Sequence, residues 1–320
     1  MKIIHISDLH LDAVYKQENY TRTVQLLEYI TATGFDHLVI TGDVTENSDK
    51  SALKLARRVF KKFGLLDADK TTIIIGNHDI FGGVHLAEDV LNFPKKCKTT
   101  DYKQKVEDFT SAFVETYENV KSGSQKSAYP FVKEFDEFVL LGLNSIAEYS
   151  VLKNPFASNG AVSTEQTDAV EKMFYAGRYE NKKVITMIHH HFCKEPVKSN
   201  PSESSMWQKI EKQTMKLRKK KSLIKFFKSI NSELVLHGHL HESAEYIRKG
   251  IKFLNAGGSV LDDNKAFLNI NRINISSGII TTSIESIRTN TRDESPFFFP
   301  ASSLSPESVK VPTASIISLN

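Results

Sequence analysis

Five short groups of oxygen- and nitrogen-bearing side chains punctuate the chain. They are Asp8-Leu9-His10, Gly42-Asp43, Gly76-Asn77-His78-Asp79, His189-His190-His191 and Gly238-His239-Leu240-His241. Carboxylate, amide and imidazole donors suit Mn, Fe, Zn and similar divalent cations, with Ni and Co also compatible. Asp8 and His10 are two residues apart, so on an extended backbone they point to the same side; His239 and His241 repeat the spacing. Asp43 follows a glycine, where the backbone can turn sharply and present the carboxylate. Its two oxygens could bridge two cations. Asn77 offers a neutral carbonyl ligand beside another glycine. A lone histidine on an apolar strand is more often a hydrogen-bonded core residue than a ligand. Here the shared position of the groups argues for chemistry.

Almost every group follows an apolar run, namely IIHIS, HLVIT, TTIII, VITMI and ELVLH. In an open α/β sheet the carboxyl ends of the strands line the crevice where ligands bind. The elements needed to place the groups there are legible. Strands at Lys2–Ile6, Leu38–Ile40 and Thr72–Ile75 alternate with helical spacing over Asn19–Thr33 and Ser51–Phe63, each helix stopped by a glycine. That alternation indicates βαβ units and a mainly parallel sheet. Further on, Tyr129–Phe135, Phe138–Leu143, Lys183–Ile188 and Leu234–His237 read as strands, and Ser163-Thr164-Glu165-Gln166 opens a helix reaching Ala176. Lys252–Asn255, Ala266–Ile275 and Ile279–Ile287 read as a closing antiparallel set. Two more polar stretches, about 84–127 and 192–228, read as insertions beside the site, the first with helix-like segments at Leu86–Leu91 and Val106–Val120. Residues 1–288 thus form the expected catalytic unit. The Ser/Pro-rich tail 289–320 carries Phe297-Phe298-Phe299, so part of it is expected to dock.

In order, SDLH, TGDV, GNHD, MIHHH and HGHLH match the blocks D-x-H, G-D, G-N-H-D/E, a histidine after an apolar strand, and G-H-x-H. Over roughly Met1 to Asn255 the chain therefore resembles the calcineurin-like metallophosphoesterase superfamily. The resemblance implies a four-layer αββα sandwich, with two mixed β-sheets flanked by helices. It also implies two divalent metal ions sharing Asp43, one held by Asp8, His10, Asp43 and His241, the other by Asp43, Asn77, His189 and His239. His190 is the second choice after His189, and His191 lines the pocket. Paired cations about 3.5–4 Å apart clamp the attacking and leaving oxygens of an in-line displacement. The implied nucleophile is a metal-bridging hydroxide, with catalytic roles for Asp43 and His78. His78 would steady the phosphate or protonate the leaving oxygen. Glu46 matches the position of an acid that orients this histidine in some relatives; a loop carboxylate in solvent is an equal reading. Asp79 is expected to fix the loop.

HISDLHL, LVITGDVTENSD and GAVSTEQTDAVEKMF most resemble the cyclic-nucleotide phosphodiesterase-like branch, a heterogeneous group acting on phosphodiesters or phosphomonoesters. A nuclease of the DNA-repair branch is the competing enzymatic reading, though it calls for a larger DNA-binding region or a partner ATPase. The lipid-A pyrophosphatase branch usually carries arginine where His78 stands. A non-catalytic scaffold would be expected to lack ligands, and none is missing.

A net charge of +4 over 320 residues is too weak to argue for nucleic acid by itself. A small phosphoester substrate is the favoured partner. The basic run Lys216 to Lys221 reads as a solvated helix end whose lysines complement the C-terminal dipole. Two cysteines, Cys97 and Cys193, cannot build a disulfide framework, which fits a reducing compartment. Cys193 lies close to the histidine triplet, but harder ligands already fill the set. No apolar run approaches ~20 residues, and the first residues lack a signal peptide's basic and apolar regions, so a cytoplasmic protein without a membrane span is expected. Trp207, His85 and Tyr149 read as packing residues.

Overall fold

Uninterrupted apolar runs such as HLVIT and FVLLG are buried at every position, the pattern of strands covered on both faces. The computed structural model describes residues 1–84, 87–193, 215–261 and 266–289. β1 (Lys2–Ile6), β2 (His37–Thr41) and β3 (Thr71–Ile74) are parallel. A second sheet comprises β4 (Val120–Ser122), β5 (Phe131–Glu134), β6 (Phe138–Gly142), β7 (Lys183–Met187), β8 (Ser232–His237), β9 (Ser243–Arg248) and β10 (Ile251–Ala256). Its order is β4-β5-β6-β7-β8-β10-β9, with β6, β7, β8 and β10 parallel. β11 (Phe267–Ser276) and β12 (Ile279–Arg288) return to the first sheet as antiparallel strands, giving β12-β11-β1-β2-β3.

Side chains alternate across the second sheet, as the two-residue strand period requires. Leu140, Ile185, Met187, Leu234, Leu236 and Leu254 join the central core with Ile3, Ile6 and Ile40 of the first sheet. Val139, Leu141, Val184, Val235 and Phe253 face the other way into a separate cluster with Val170, Leu223, Ile224 and Phe227. Those partners lie on α6 (Thr164–Phe174) and α7 (Lys220–Ser229). The central core also receives Leu26, Leu27 and Ile30 of α1 (Gln17–Thr33), and Leu53, Ala56, Val59 and Phe60 of α2 (Lys50–Lys62). Two mixed sheets flanked by helices are the αββα sandwich. Helix starts follow the usual chemistry. Asp49 caps α2 by accepting from the Ala52 amide at 2.8 Å, and Ser163 caps α6 through the Gln166 amide at 3.3 Å.

Three further α-helices lie among the described residues, α3 (His78–Phe81), α4 (Ala87–Thr99) and α5 (Tyr102–Ala112), with 3-10 turns at Val114–Tyr117 and Tyr175–Gly177. The helical stretch expected over Val106–Val120 ends early. Phe113 leaves helical geometry at φ −122°, a tight turn occupies Val114–Tyr117, and Val120 already belongs to β4. Buried Lys133 ties this region down, its ammonium donating to the carbonyls of Ala68, Thr71 and Thr116 at 2.7–3.1 Å. The closing strands are not one antiparallel set. β10 lies parallel to β8 in the second sheet, whereas β11 and β12 belong to the first. The half-exposed edge strand β9, too polar to stand out in the sequence, pairs with β10.

Met1–Thr289 form one compact unit. Docking of the tail beyond Thr289 lies outside the described residues, as do His85 and Trp207. Among the described residues no helix is long and apolar enough to cross a membrane.

Candidate metal centre

The strand ends do converge. β1 runs out into Asp8 and His10, β2 into Asp43, β3 into Asn77, β7 into His189 and β8 into His239 and His241. Asp8, His10, Asp43 and His239 all adopt left-handed backbone, with φ of 56°, 46°, 48° and 72°. Such conformations cost a non-glycine residue ~1–3 kcal/mol and cluster at functional sites. Surrounding bonds hold them. The Asp8 amide donates to the Gly42 carbonyl at 3.1 Å, the His10 amide to the Asp43 carbonyl at 3.0 Å, and the His239 amide to the Asp8 carboxylate at 3.1 Å. Gly42 has to be glycine: at φ 97°, a Cβ would stand 2.6 Å from His189 Nδ1 and 2.8 Å from the Gly76 backbone.

Three groups of donors result among the described residues; one, His10, Glu46 and His78, lies on the outer side of the His10 ring, and the other two gather around Asp8 and Asp43. Asp8, His10 and His241 form one, with His241 Nε2 3.7 Å and His10 Nε2 3.9 Å from Asp8 Oδ1. Asp43, His189 and His239 form the other, with Asn77 Oδ1 3.0 Å from His189 Nε2. Asp43 Oδ2 lies between them, 3.9 Å from His10 Nε2 and 3.3 Å from His189 Nε2.

Hydrogen bonds set the imidazole tautomers. His10 Nδ1 donates to Glu46 Oε2 at 2.5 Å, and His189 Nδ1 donates to the Thr41 carbonyl at 2.8 Å. Each bond turns Nε2 inward, the arrangement by which outer carboxylates and carbonyls prepare a histidine to ligate. His10 Nε2 and His239 Nε2 are buried and meet no hydrogen-bond partner. Unsatisfied buried polar atoms cost stability, and a cation beside Asp8 would satisfy His10 Nε2; His239 turns its Nδ1 to the second group, 3.1 Å from His189 Nε2. The donor set therefore fits a metal site.

The electrostatics agree. Burial works against ionising Asp43, but the His189, His78 and His10 rings hold it well below the usual carboxylate range. Burial raises Asp8, with the Asp43 charge adding to the effect. His189 shows the converse: burial would lower it, yet Asp43 and Asp8 lift it to about 9.

All seven residues expected to bind metal therefore meet, with His78 beside them. The His78 amide donates to Asp43 Oδ1 at 2.8 Å, and its ring lies 4.6 Å from that of His10. His190 is not available as a ligand, because its nitrogens are engaged by Ser145 Oγ (2.8 Å) and the Ser158 carbonyl (3.2 Å). Its ring instead packs 4.4 Å from His239. His191 stacks 6.2 Å from His239 and donates through Nε2 to the Met215 carbonyl. Asp79 accepts from the Thr45 amide and hydroxyl and from the Gly76 and Val44 amides, joining the Asp43 and Asn77 loops.

Glu46 is no solvent carboxylate. It is buried against His10 and held well below its usual range despite that burial, chiefly by His78 and His10. Its oxygen is 3.6 Å from His78 Nδ1, so its shorter bond is to His10. The basic run also departs from expectation. Lys219 caps the start of α7, where lysines oppose the dipole. Lys220 donates to the Cys193 carbonyl at 3.0 Å and is lowered by burial to about 8. Cys193 joins none of the candidate metal groups among the described residues. Tyr149 packs on the central core. No sequence motif marks Lys16, yet its Nζ lies 2.9 Å from Glu46 Oε2.

A profile for calcineurin-like phosphoesterases matches residues 1–243. The chain belongs to this family. It is a metal-dependent phosphoesterase, and the family's paired-metal chemistry agrees with the donor groups around Asp8 and Asp43. A dimetal phosphatase from Danio rerio has a similar fold, with a TM-score of 0.58 at 11% identity, covering 90% of this chain and 98% of that one. A phosphopantetheinyl hydrolase from Mycobacterium tuberculosis aligns with a TM-score of 0.40 at 14% identity, covering 80% and 88%. No curated protein matches the sequence of this phosphoesterase.

Proposed function

We propose that this phosphoesterase hydrolyses a small phosphodiester or phosphomonoester with two divalent cations, Mn, Fe or Zn being favoured by the ligand chemistry. Asp8, His10, Asp43 and His241 would hold one; Asp43, Asn77, His189 and His239 the other. Bound there, the pair would polarise the phosphoryl oxygens and lower the pKa of water. The protein's own groups do the rest. Glu46 and the Thr41 carbonyl keep the His10 and His189 rings oriented with Nε2 inward. His78, fixed through its amide to Asp43 and turned with Nδ1 toward Glu46, presents its other nitrogen to the phosphate or the leaving oxygen. The sequence blocks favour the cyclic-nucleotide phosphodiesterase-like branch. The two free cysteines suit a reducing compartment, so the cytoplasm is the proposed location.

The observation that carries this reading is Asp43 Oδ2, set between the inward nitrogens of His10 and His189. Asp43→Asn keeps the shape but removes the charge that would face both cations. Elemental analysis should show loss of at least one metal, and turnover of bis(p-nitrophenyl) phosphate and p-nitrophenyl phosphate should nearly vanish. Unchanged metal content with full activity would refute the shared-ligand assignment.

A further inference from the structure

The site has a closed floor and an open rim. The side chains of Asp8, His10, Asp43, Glu46 and His189 are 0–2% exposed, whereas Lys16, His78 and His241 reach 37%, 13% and 42%. The rim residues are the ones a substrate meets first, and Lys16 brings an ammonium among them. We propose that Lys16 is a substrate-binding residue that takes a terminal phosphate dianion, so that the site favours phosphomonoesters over phosphodiesters. The proposal rests on the phosphoesterase reading above.

One buried oxygen organises this rim. Glu46 Oε2 lies 2.9 Å from Lys16 Nζ, 2.5 Å from His10 Nδ1 and 3.6 Å from His78 Nδ1. Lys16 is thereby tied to a proposed metal ligand and to the histidine proposed to act on the phosphate. An ammonium carries three N–H donors. Glu46 takes one, leaving donors for a phosphate oxygen on the open side. The approach to Lys16 is also built. Asp12 accepts from the Val14 and Tyr15 amides at 2.7 and 2.8 Å and from Asn47 Nδ2 at 2.9 Å. Lys16 itself sits in left-handed backbone at φ 50°, immediately before α1. A single cation attracts a monoester dianion about twice as strongly as a diester monoanion at equal distance. If its loss weakens dianion binding about tenfold, the monoanion should lose about threefold, because half the energy is the square root of the factor.

The test uses the full chain loaded with metal, as wild type, Lys16→Met and Lys16→Arg. Competitive inhibition by inorganic phosphate, direct phosphate binding by calorimetry, and kcat and KM for p-nitrophenyl phosphate and bis(p-nitrophenyl) phosphate are measured alongside metal content and Tm. Lys16→Met should bind phosphate about tenfold more weakly and raise the monoester KM by the same factor. Its kcat, metal content and Tm should be nearly unchanged, and the diester KM should rise only about threefold. Lys16→Arg should recover most of the affinity. Unchanged phosphate affinity in Lys16→Met would overturn the proposal. So would equal losses on both esters together with lost metal or a lowered Tm, since Lys16 would then merely neutralise Glu46. Failure of the wild-type holoprotein to turn over either ester would overturn the phosphoesterase reading, and the calorimetric comparison would still decide the role of Lys16.

Discussion

Asp79→Asn exchanges one carboxylate oxygen for an amide NH2 in a place where both oxygens accept. Oδ1 receives the Thr45 amide at 2.8 Å and its hydroxyl at 2.9 Å; Oδ2 receives the Gly76 amide at 2.9 Å and the Val44 amide at 3.3 Å. The less costly orientation turns the NH2 toward Thr45, whose hydroxyl can rotate to accept. The Thr45 N–H then faces another donor and is left buried without a partner. One unsatisfied buried N–H costs ~1–3 kcal/mol. A central figure of about 2 kcal/mol corresponds to a fall in Tm of roughly 3 °C for a compact unit of this size, which unfolds with ~2.1 cal/mol/K per residue. The measurement is calorimetric unfolding of metal-free protein, repeated after metal loading. If Asp79 joins the two loops without touching metal, the Tm deficit appears already in the metal-free protein, and loaded protein still takes up both metals. Wild-type stability in the metal-free state combined with loss of metal would refute the reasoning and make Asp79 a ligand.

His78→Ala should retain both metals while slowing turnover ~10²–10⁴-fold, most for substrates with poor leaving groups; metal loss in this variant would overturn the role given to His78. Gly42→Ala should unfold more readily than Gly34→Ala. Both need positive φ, worth ~1–2 kcal/mol, but a Cβ at Gly34 meets open space while one at Gly42 strikes His189 and Gly76, adding ~1–3 kcal/mol. Equal urea midpoints for the two variants would show that the close approach is not rigid. His37, buried and lowered by that burial to about 4, should make metal-free stability pH-dependent. Its folded pKa lies below the unfolded value near 6.5, so its contribution is complete above pH ~6.5 and is lost as pH falls toward 4, about 3 kcal/mol in all. His37→Gln should flatten the unfolding free energy over that window, and an unaltered slope would assign the dependence to other groups.

The order of five polar groups after five apolar runs was determined by the sequence alone, because strand ends in parallel sheets face one way and ligand chemistry names its own residue types. The extent of α2 followed from the same local logic, whereas the stretch expected over Val106–Val120 did not. Leu53, Ala56, Val59 and Phe60 keep helical spacing behind an Asp49 cap, and the observed bounds of α2 differ from the expected ones by one residue at each end. Sheet membership was not local. Ile251–Ala256 and Phe267–Ser276 look alike as sequences, yet one pairs in parallel with β8 and the other antiparallel with β1, a choice made by partners distant in sequence. His189, His190 and His191 are chemically identical neighbours. Only packing decided that the first turns Nε2 toward Asp43 while Ser145 and the Ser158 carbonyl engage the second. Glu46 and Lys16 made the same point in opposite ways. One could be a loop acid or an anchor for a site histidine, and burial against His10 decided for the anchor; the other looked like any surface lysine until the fold set its ammonium against that anchor. Those roles come from a contact across some thirty residues of chain, between a half-exposed Lys16 and a Glu46 carboxylate that the fold buries.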